Sequence, residues 1–173
     1  EFFLKKGFKL FNVEIVNTKG GSLRYFVGKE KSRWKKRLCV KEIISMEAKG
    51  PDLEQKFYEF NHKINQIKFK SDNFLLDYRK KTIVGYGASA TSTTLISHLE
   101  LQKYLTYLVD DNMAKVDRFS PGYHIPVFNP ERLVTEKPDL IIVLAWRFFD
   151  RIYPKIKGLG VPIIIPLPNF KII

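Results

Sequence analysis

The hydrophobic positions of this chain change their period twice. Phe8 to Val16 mixes aromatic, β-branched and polar residues in imperfect alternation, which suits a strand. Asn17-Thr18-Lys19-Gly20-Gly21 reads as a turn, and Ser22 to Val27 as a second strand, so the two form a hairpin. Ahead of them, Phe2-Phe3-Leu4-Lys5-Lys6-Gly7 reads as the tail of a helix closed by glycine. Between residues 34 and 81 the period becomes helical. One helix is expected over Trp34–Ala48, and Gly50-Pro51 breaks the stretch. A second starts near Asp52, with Leu53, Phe57, Phe60, Ile64 and Ile67 in one apolar stripe, the mark of a core-facing or interdomain helix.

From Thr82 the pattern alternates between short apolar runs and helical segments. Strands are expected at Thr82–Gly87, Tyr104–Asp110, Ile125–Phe128, Asp139–Ala145 and Val161–Pro166. Helices are expected at Thr91–Leu101, from Asn129 to about Val134, and at Arg147–Lys157. Apolar strands alternating with helices imply a parallel sheet covered on both faces. The expected fold class is therefore α/β: a Rossmann-like three-layer α/β/α domain over residues 82–173. Right-handed crossovers give a parallel five-stranded sheet of order 3-2-1-4-5, with ligands at the carboxyl ends of the strands. Residues 1–28 form a preceding hairpin region and 29–81 a basic helical linker. An isolated hairpin is marginal in water. The hairpin therefore suggests a sheet outside this chain, supplied by a longer protein or by a complex.

Charge adds an asymmetry to that pattern. Residues 1–81 hold 20 Lys and Arg against 10 Asp and Glu, whereas residues 82–173 hold 10 against 8. The densest run is Lys29, Lys31, Arg33, Lys35, Lys36, Arg37 and Lys41. Such a run attracts anionic ligands or partners, but no motif for nucleic acid accompanies it, so nucleic acid is not the expected partner. The longest apolar run, Leu140 to Trp146, is strand-sized, so no membrane span is expected. The lone Cys39 excludes an internal disulfide and a multi-cysteine zinc site, and a reducing cytoplasm is the expected compartment. No metal-ligand spacing stands out.

The chemistry-bearing residues cluster in the second half. Gly85-Tyr86-Gly87-Ala88-Ser89-Ala90 fits G-x-G-x-x-A after a strand and before a helix, the setting in which backbone N–H groups meet a phosphate. Asp110 ends the next strand, where a ribose-binding acid sits in dinucleotide sites. Thr91 and its neighbours Ser92, Thr93 and Thr94 add hydroxyls that could serve a ligand or cap the helix. Asp111 and Asn112, the run containing Ser120 and His124, and Trp146-Arg147 are expected on the same carboxyl-end edge. There a Trp can stack on a base and an Arg can hold a phosphate.

Together these residues resemble the C-terminal region of the sugar C-methyltransferases, which act on nucleotide-linked keto-deoxysugars. The resemblance rests on Lys19-Gly20-Gly21-Ser22-Leu23-Arg24, Gly85 to Ala90, Val109-Asp110-Asp111-Asn112, Ser120 to Pro126, Leu144-Ala145-Trp146-Arg147 and Ile165-Pro166-Leu167-Pro168. The family commonly has His where this chain has Lys19, and often Lys where it has Thr91. The resemblance implies an upstream domain that binds S-adenosylmethionine, with no cofactor site in this chain. It also implies methylation at a carbon next to a ketone, through an enolate that attacks the sulfonium methyl group. Residues 8–27 would complete the methyltransferase sheet. Gly85, Tyr86, Gly87, Ala88, Ser89, Thr91, Asp110, Asp111, Asn112, Ser120, His124, Trp146 and Arg147 would bind the nucleotide sugar. Lys19, Gly20, Gly21, Ser22 and Arg24 would face the domain junction, with Lys19 the one catalytic candidate here. The missing domain would act in cis or in trans, and the chain alone would be inactive. Two other readings remain open: a fragment of an NAD(P)-binding oxidoreductase, and a non-enzymatic interaction module that uses the basic linker.

Overall fold

The computed structural model describes residues 2–18, 21–50 and 52–173. The chain divides into two compact units, residues 1–57 and 58–173.

The first unit is built on a hairpin. A four-residue helix, α1 (Phe2–Lys5), leads through Gly7 at φ +75° into β1 (Phe8–Val16), which pairs antiparallel with β2 (Ser22–Lys29). The register shifts between Leu10 and Asn12, a bulge that bends the strand. The helix expected from Trp34 begins later, as α2 (Leu38–Ala48). Residues 34–37 instead run back along the hairpin, where the Arg37 amide donates to the Phe11 carbonyl at 2.9 Å and Trp34 stacks on Phe11. Val13 and Val40 are the unit's buried apolar residues, and the Cys39 thiol donates to Asn12 Oδ1 at 3.2 Å. This core is small. Ile15 and Leu23 of the hairpin, Ile43 and Met46 of α2, and Leu53 line an open apolar groove of about 610 Å³.

The long helix α3 (Leu53–Leu75) starts in the first unit and lies mostly in the second. Pro51, expected to break the helical stretch, lies outside the described residues. The stripe read as core-facing or interdomain is only half covered. Leu53, Phe57 and Phe60 are 69%, 69% and 65% exposed, whereas Ile67 is 5% exposed. The helix is held from there onward: Ile67, Ser71 and Leu75 are buried, and Asp72 accepts from both Lys103 Nζ and Tyr104 OH at 2.6 Å. Lys68 pairs with Glu100.

The second unit is a sheet of seven mostly parallel strands with helices on its faces. In chain order it holds β3 (Ile83–Tyr86), α4 (Ala90–Leu99), β4 (Tyr107–Val109), β5 (Arg118–Phe119), β6 (Pro126–Phe128), α5 (Arg132–Thr135), β7 (Leu140–Val143), α6 (Phe149–Ile156), β8 (Ile163–Ile165) and β9 (Lys171–Ile172). The sheet order is β5-β6-β4-β3-β7-β8-β9. Five strands are expected from the apolar runs, and the sheet has seven. The extra strands β5 and β9 are two residues long, exposed, and antiparallel at the two edges. They carry no apolar run, because an edge strand needs none.

Alternation along the central strands builds two cores. Ile83, Leu140, Ile142 and Leu144 pack with Leu95, Ile96 and Leu99 of α4 and with Leu75. Val84, Tyr86, Ile141 and Val143 pack on the opposite face with Leu133 of α5 and with Ile152 and Ile156 of α6. A strand buried on both faces has no polar side, which is why β3 and β7 read as continuous apolar runs.

Gly85 belongs to this packing. A Cβ there would lie 2.5 Å from Leu108 Cδ2 and 2.7 Å from Leu144 Cδ1. Both leucines are buried on the α4 side and would have to shift to admit it. Gly85→Ala is expected to destabilise the fold by about 1–3 kcal/mol through overpacking. Chemical denaturation of the two proteins, compared at equal slope, checks this.

Candidate functional site

The carboxyl ends of β3, β4 and β7 bring three segments together. After β3 the chain turns at Gly87, with φ +110°, before entering α4. Its amide donates to the Val109 carbonyl at 2.7 Å, and a Cβ there would sit 2.6 Å from Ala145 Cβ and 3.0 Å from the Ala145 nitrogen. Glycine is thus required both by the left-handed backbone and by the close approach of the β7 end. Ser89 caps α4: its hydroxyl accepts from the Ser92 amide at 3.2 Å and lies 3.0 Å from the Ser92 hydroxyl. Thr93 and Thr94 donate their hydroxyls back to the carbonyls of Ser89 and Ala90. Of the expected hydroxyl series, Thr91 stands exposed on the first turn, beside helix-end amides that have no intrahelical acceptor.

Asp110 ties the turn to the end of β4. It is 9% exposed. Its Oδ2 accepts from the Ala88 amide at 2.7 Å and from Lys115 Nζ at 2.9 Å, and its Oδ1 accepts from the Asn112 amide at 2.9 Å. Burial alone would raise the Asp110 pKa. The Ala88 amide, the Lys115 ammonium and the Asn112 amide outweigh it and hold the carboxyl below its usual value. This differs from the acid expected to meet a ribose. The carboxylate is engaged by three protein donors, and one of them is an amide of the very turn that would have met a phosphate. The residue that motivates a dinucleotide site also clamps the turn to the end of β4.

Asp111 and Tyr86 form a second tie. Tyr86 OH donates to Asp111 Oδ1 at 3.0 Å, and Lys155 Nζ of α6 reaches the same oxygen at 2.7 Å. Burial first, then the Asp111 carboxylate, pushes the Tyr86 pKa up. Tyr86 points into the core beside α5 and α6, so it braces the site rather than lining it. Asn112 accepts from the Ala114 amide at 3.0 Å and so caps the short turn that carries Lys115. Lys115 and Lys155 are cations of this strand-end cluster that sequence patterning does not single out. They lie in unremarkable helical surroundings, and only the tertiary fold brings them to Asp110 and Asp111.

Trp146 and Arg147 follow β7. Trp146 is half-buried against the α4-side core, and its N–H is buried with no acceptor among the described residues. Arg147 is exposed, with its guanidinium 5.0 Å from the Trp146 ring centroid. Among the described residues no carboxylate pairs with it.

Ser120 and His124 do not join this group. They lie in the loop between β5 and β6, ahead of a strand that runs parallel to β4, and therefore at the amino end of the sheet. Buried Ser120 closes the loop: its amide donates to the Ile125 carbonyl at 2.8 Å, and its hydroxyl accepts from the Ile125 amide at 3.0 Å. His124 is exposed at φ +50°, and Tyr123 OH meets Ser97 Oγ at 3.3 Å. The expectation of one shared edge is corrected accordingly.

Of the residues expected at a domain junction, Lys19 and Gly20 lie outside the described residues. Gly21 has φ +115°, Ser22 Oγ donates to the Thr18 carbonyl at 3.0 Å, and exposed Arg24 lies 3.5 Å from Glu14. Among the described residues no group of three or more His, Cys, Asp or Glu could hold a metal ion, and no helix is long and apolar enough to cross a membrane.

Against this geometry, residues 17–168 match the C-methyltransferase C-terminal domain family. The chain is also 24% identical over 178 residues to the C-methyltransferase NovU of Streptomyces niveus. That alignment takes in 99% of this chain and 42% of the relative, so the chain spans under half of that protein's length.

The Asp110 clamp sets a pH dependence. Because the folded carboxyl is held below its unfolded pKa of about 3.9, its stabilisation is present above that value and is lost as pH falls through the folded pKa. Asp110→Ala leaves the Ala88 and Asn112 amides unpaired and is expected to cost about 1–3 kcal/mol at neutral pH. The variant should also lose less stability than the parent between neutral pH and acid. Thermal melts across that range measure both.

Proposed function

The chain belongs to the C-methyltransferase C-terminal domain family, and on that premise we propose that its second unit binds the acceptor, a nucleotide-linked sugar, for a methyltransferase centre lying outside it. The observation that carries this reading is the division of labour at the carboxyl ends of the strands. Asp110, Asp111 and the Ala88 amide are spent on holding the loops together. The first turn of α4, Thr91, Trp146 and Arg147 remain for a ligand. A helix N-terminus and a guanidinium, on loops that meet where Gly87 lies against Ala145, suit a diphosphate, and an indole suits a base or a sugar face.

In this reading Asp110, which already holds three protein donors, serves the loops, and the methyl donor belongs to a separate domain, in cis or in trans, within a cytoplasmic enzyme. The hairpin supports that arrangement. Its two strands have no third strand among the described residues, while Ile15, Leu23 and Tyr25 remain exposed. In the proposed enzyme β1 and β2 complete the sheet of the methyltransferase domain, and Lys19 to Arg24 lie at the junction.

Thermal shift tests the reading. A thymidine-diphosphate-linked keto-deoxysugar at ~100 times its dissociation constant should stabilise the chain by about 2.7 kcal/mol, with no shift from NAD or S-adenosylmethionine. Arg147→Ala should weaken the sugar-nucleotide effect about tenfold or more, since it removes a charge-assisted contact. A shift with NAD alone, or an unchanged response in Arg147→Ala, counts against the assignment. The chain alone should give no methylated product.

A further inference from the structure

The first unit carries a surface that the crevice of the second does not use. Three contacts fold the basic run back onto the first strand. The Glu30 amide donates to the Gly7 carbonyl at 3.0 Å, Lys9 Nζ donates to the Ser32 carbonyl at 2.7 Å, and the Arg37 amide donates to the Phe11 carbonyl at 2.9 Å. Lys9 is thereby joined to the stretch that carries the seven bases between Lys29 and Lys41. All seven of those bases are exposed, and among the described residues none forms an ion pair. The stretch also sits against the dipole of α2. Arg37 occupies the N-cap without a side-chain cap bond, and the first turn holds no acidic residue. Bases at that end of a helix are unfavourable in isolation.

We propose that this basic surface docks an acidic polypeptide segment. Five of the seven bases are lysines, which act as hydrated point charges rather than bidentate forks and so suit carboxylates on a flexible chain. A single-stranded nucleic acid would need a bare aromatic platform. Trp34 is 50% exposed, but Phe11 already stacks on it at 5.3 Å and 9°, and the Arg33 guanidinium lies 5.2 Å from its ring centroid. Residues 30–37 are turns and irregular backbone and supply no amphipathic helix to insert into a bilayer, which leaves charge alone as an attraction to lipid, and the vesicle titration below measures that. A second copy of the chain lacks the opposite charge. Residues 58–173 hold 16 Lys and Arg against 11 Asp and Glu, a balance of +5.

The full 173-residue chain is titrated with a fluorescent oligoglutamate peptide, an oligothymidylate of equal charge and phosphatidylserine vesicles. The peptide is expected to bind most tightly, and its affinity should fall about tenfold between low and moderate salt as the charges are screened. Reversing Lys35→Glu, Lys36→Glu and Arg37→Glu together should weaken the peptide about tenfold or more, while the thermal midpoint holds or rises because acids now face the start of α2. An equal reversal elsewhere, Lys70→Glu with Lys80→Glu and Lys157→Glu, should leave binding nearly unchanged. An equal loss in that control overturns the proposal in favour of net charge alone. Tighter binding of the oligonucleotide or the vesicles overturns it in favour of those partners.

Discussion

A sheet whose central strands have no wet face governs the second unit. β3 and β7 are buried on both sides, so their side chains cannot carry chemistry, and their backbone groups are consumed by neighbouring strands. Polar residues can emerge only where strands end. At the carboxyl ends they emerge in pairs of opposite charge, Asp110 with Lys115 and Asp111 with Lys155. Those pairs fix the loops against one another. What is left exposed between them, Thr91 and Arg147 above all, is what the unit can offer to another molecule.

Much of this was legible in the sequence. The hairpin, the long helix and the run of apolar strands follow from period and turn residues, because burial on one or both faces writes itself directly into side-chain pattern. The two-residue strands β5 and β9 did not show, since their pairing is a backbone matter at an exposed edge. The placement of Ser120 and His124 was recoverable. A loop that precedes a parallel strand must lie at that strand's amino end, and their loop precedes β6. Tyr86 was recoverable too, because alternation with Gly85 turns it toward α5 and α6. The clamp made by Asp110 was not recoverable. A strand-end acid reads as a ligand-binding residue, and only the fold brings the Ala88 and Asn112 amides and Lys115 to it.

The first unit poses the opposite problem. Its elements are plain in the sequence, yet their packing is thin, with two buried valines and a wide apolar groove. The unit also carries 14 Lys and Arg against 7 Asp and Glu. An apolar groove and a basic flank ask for different neighbours. The groove is suited to a packed polypeptide layer, and the flank to a mobile anionic chain.

The clamp at Asp110 also bears on how such a domain can change its ligand over time. In a dinucleotide site the acid after the second strand bonds the ribose. Here the same position holds two backbone amides and an ammonium, so variation there costs stability whatever it does to recognition. Under the proposed reading, the freedom to drift lies with Thr91 and Arg147, which are exposed and form no ion pair among the described residues. Ligand preference would then change through the first turn of α4 and the end of β7, while the glycine turn and its acid are held by structure.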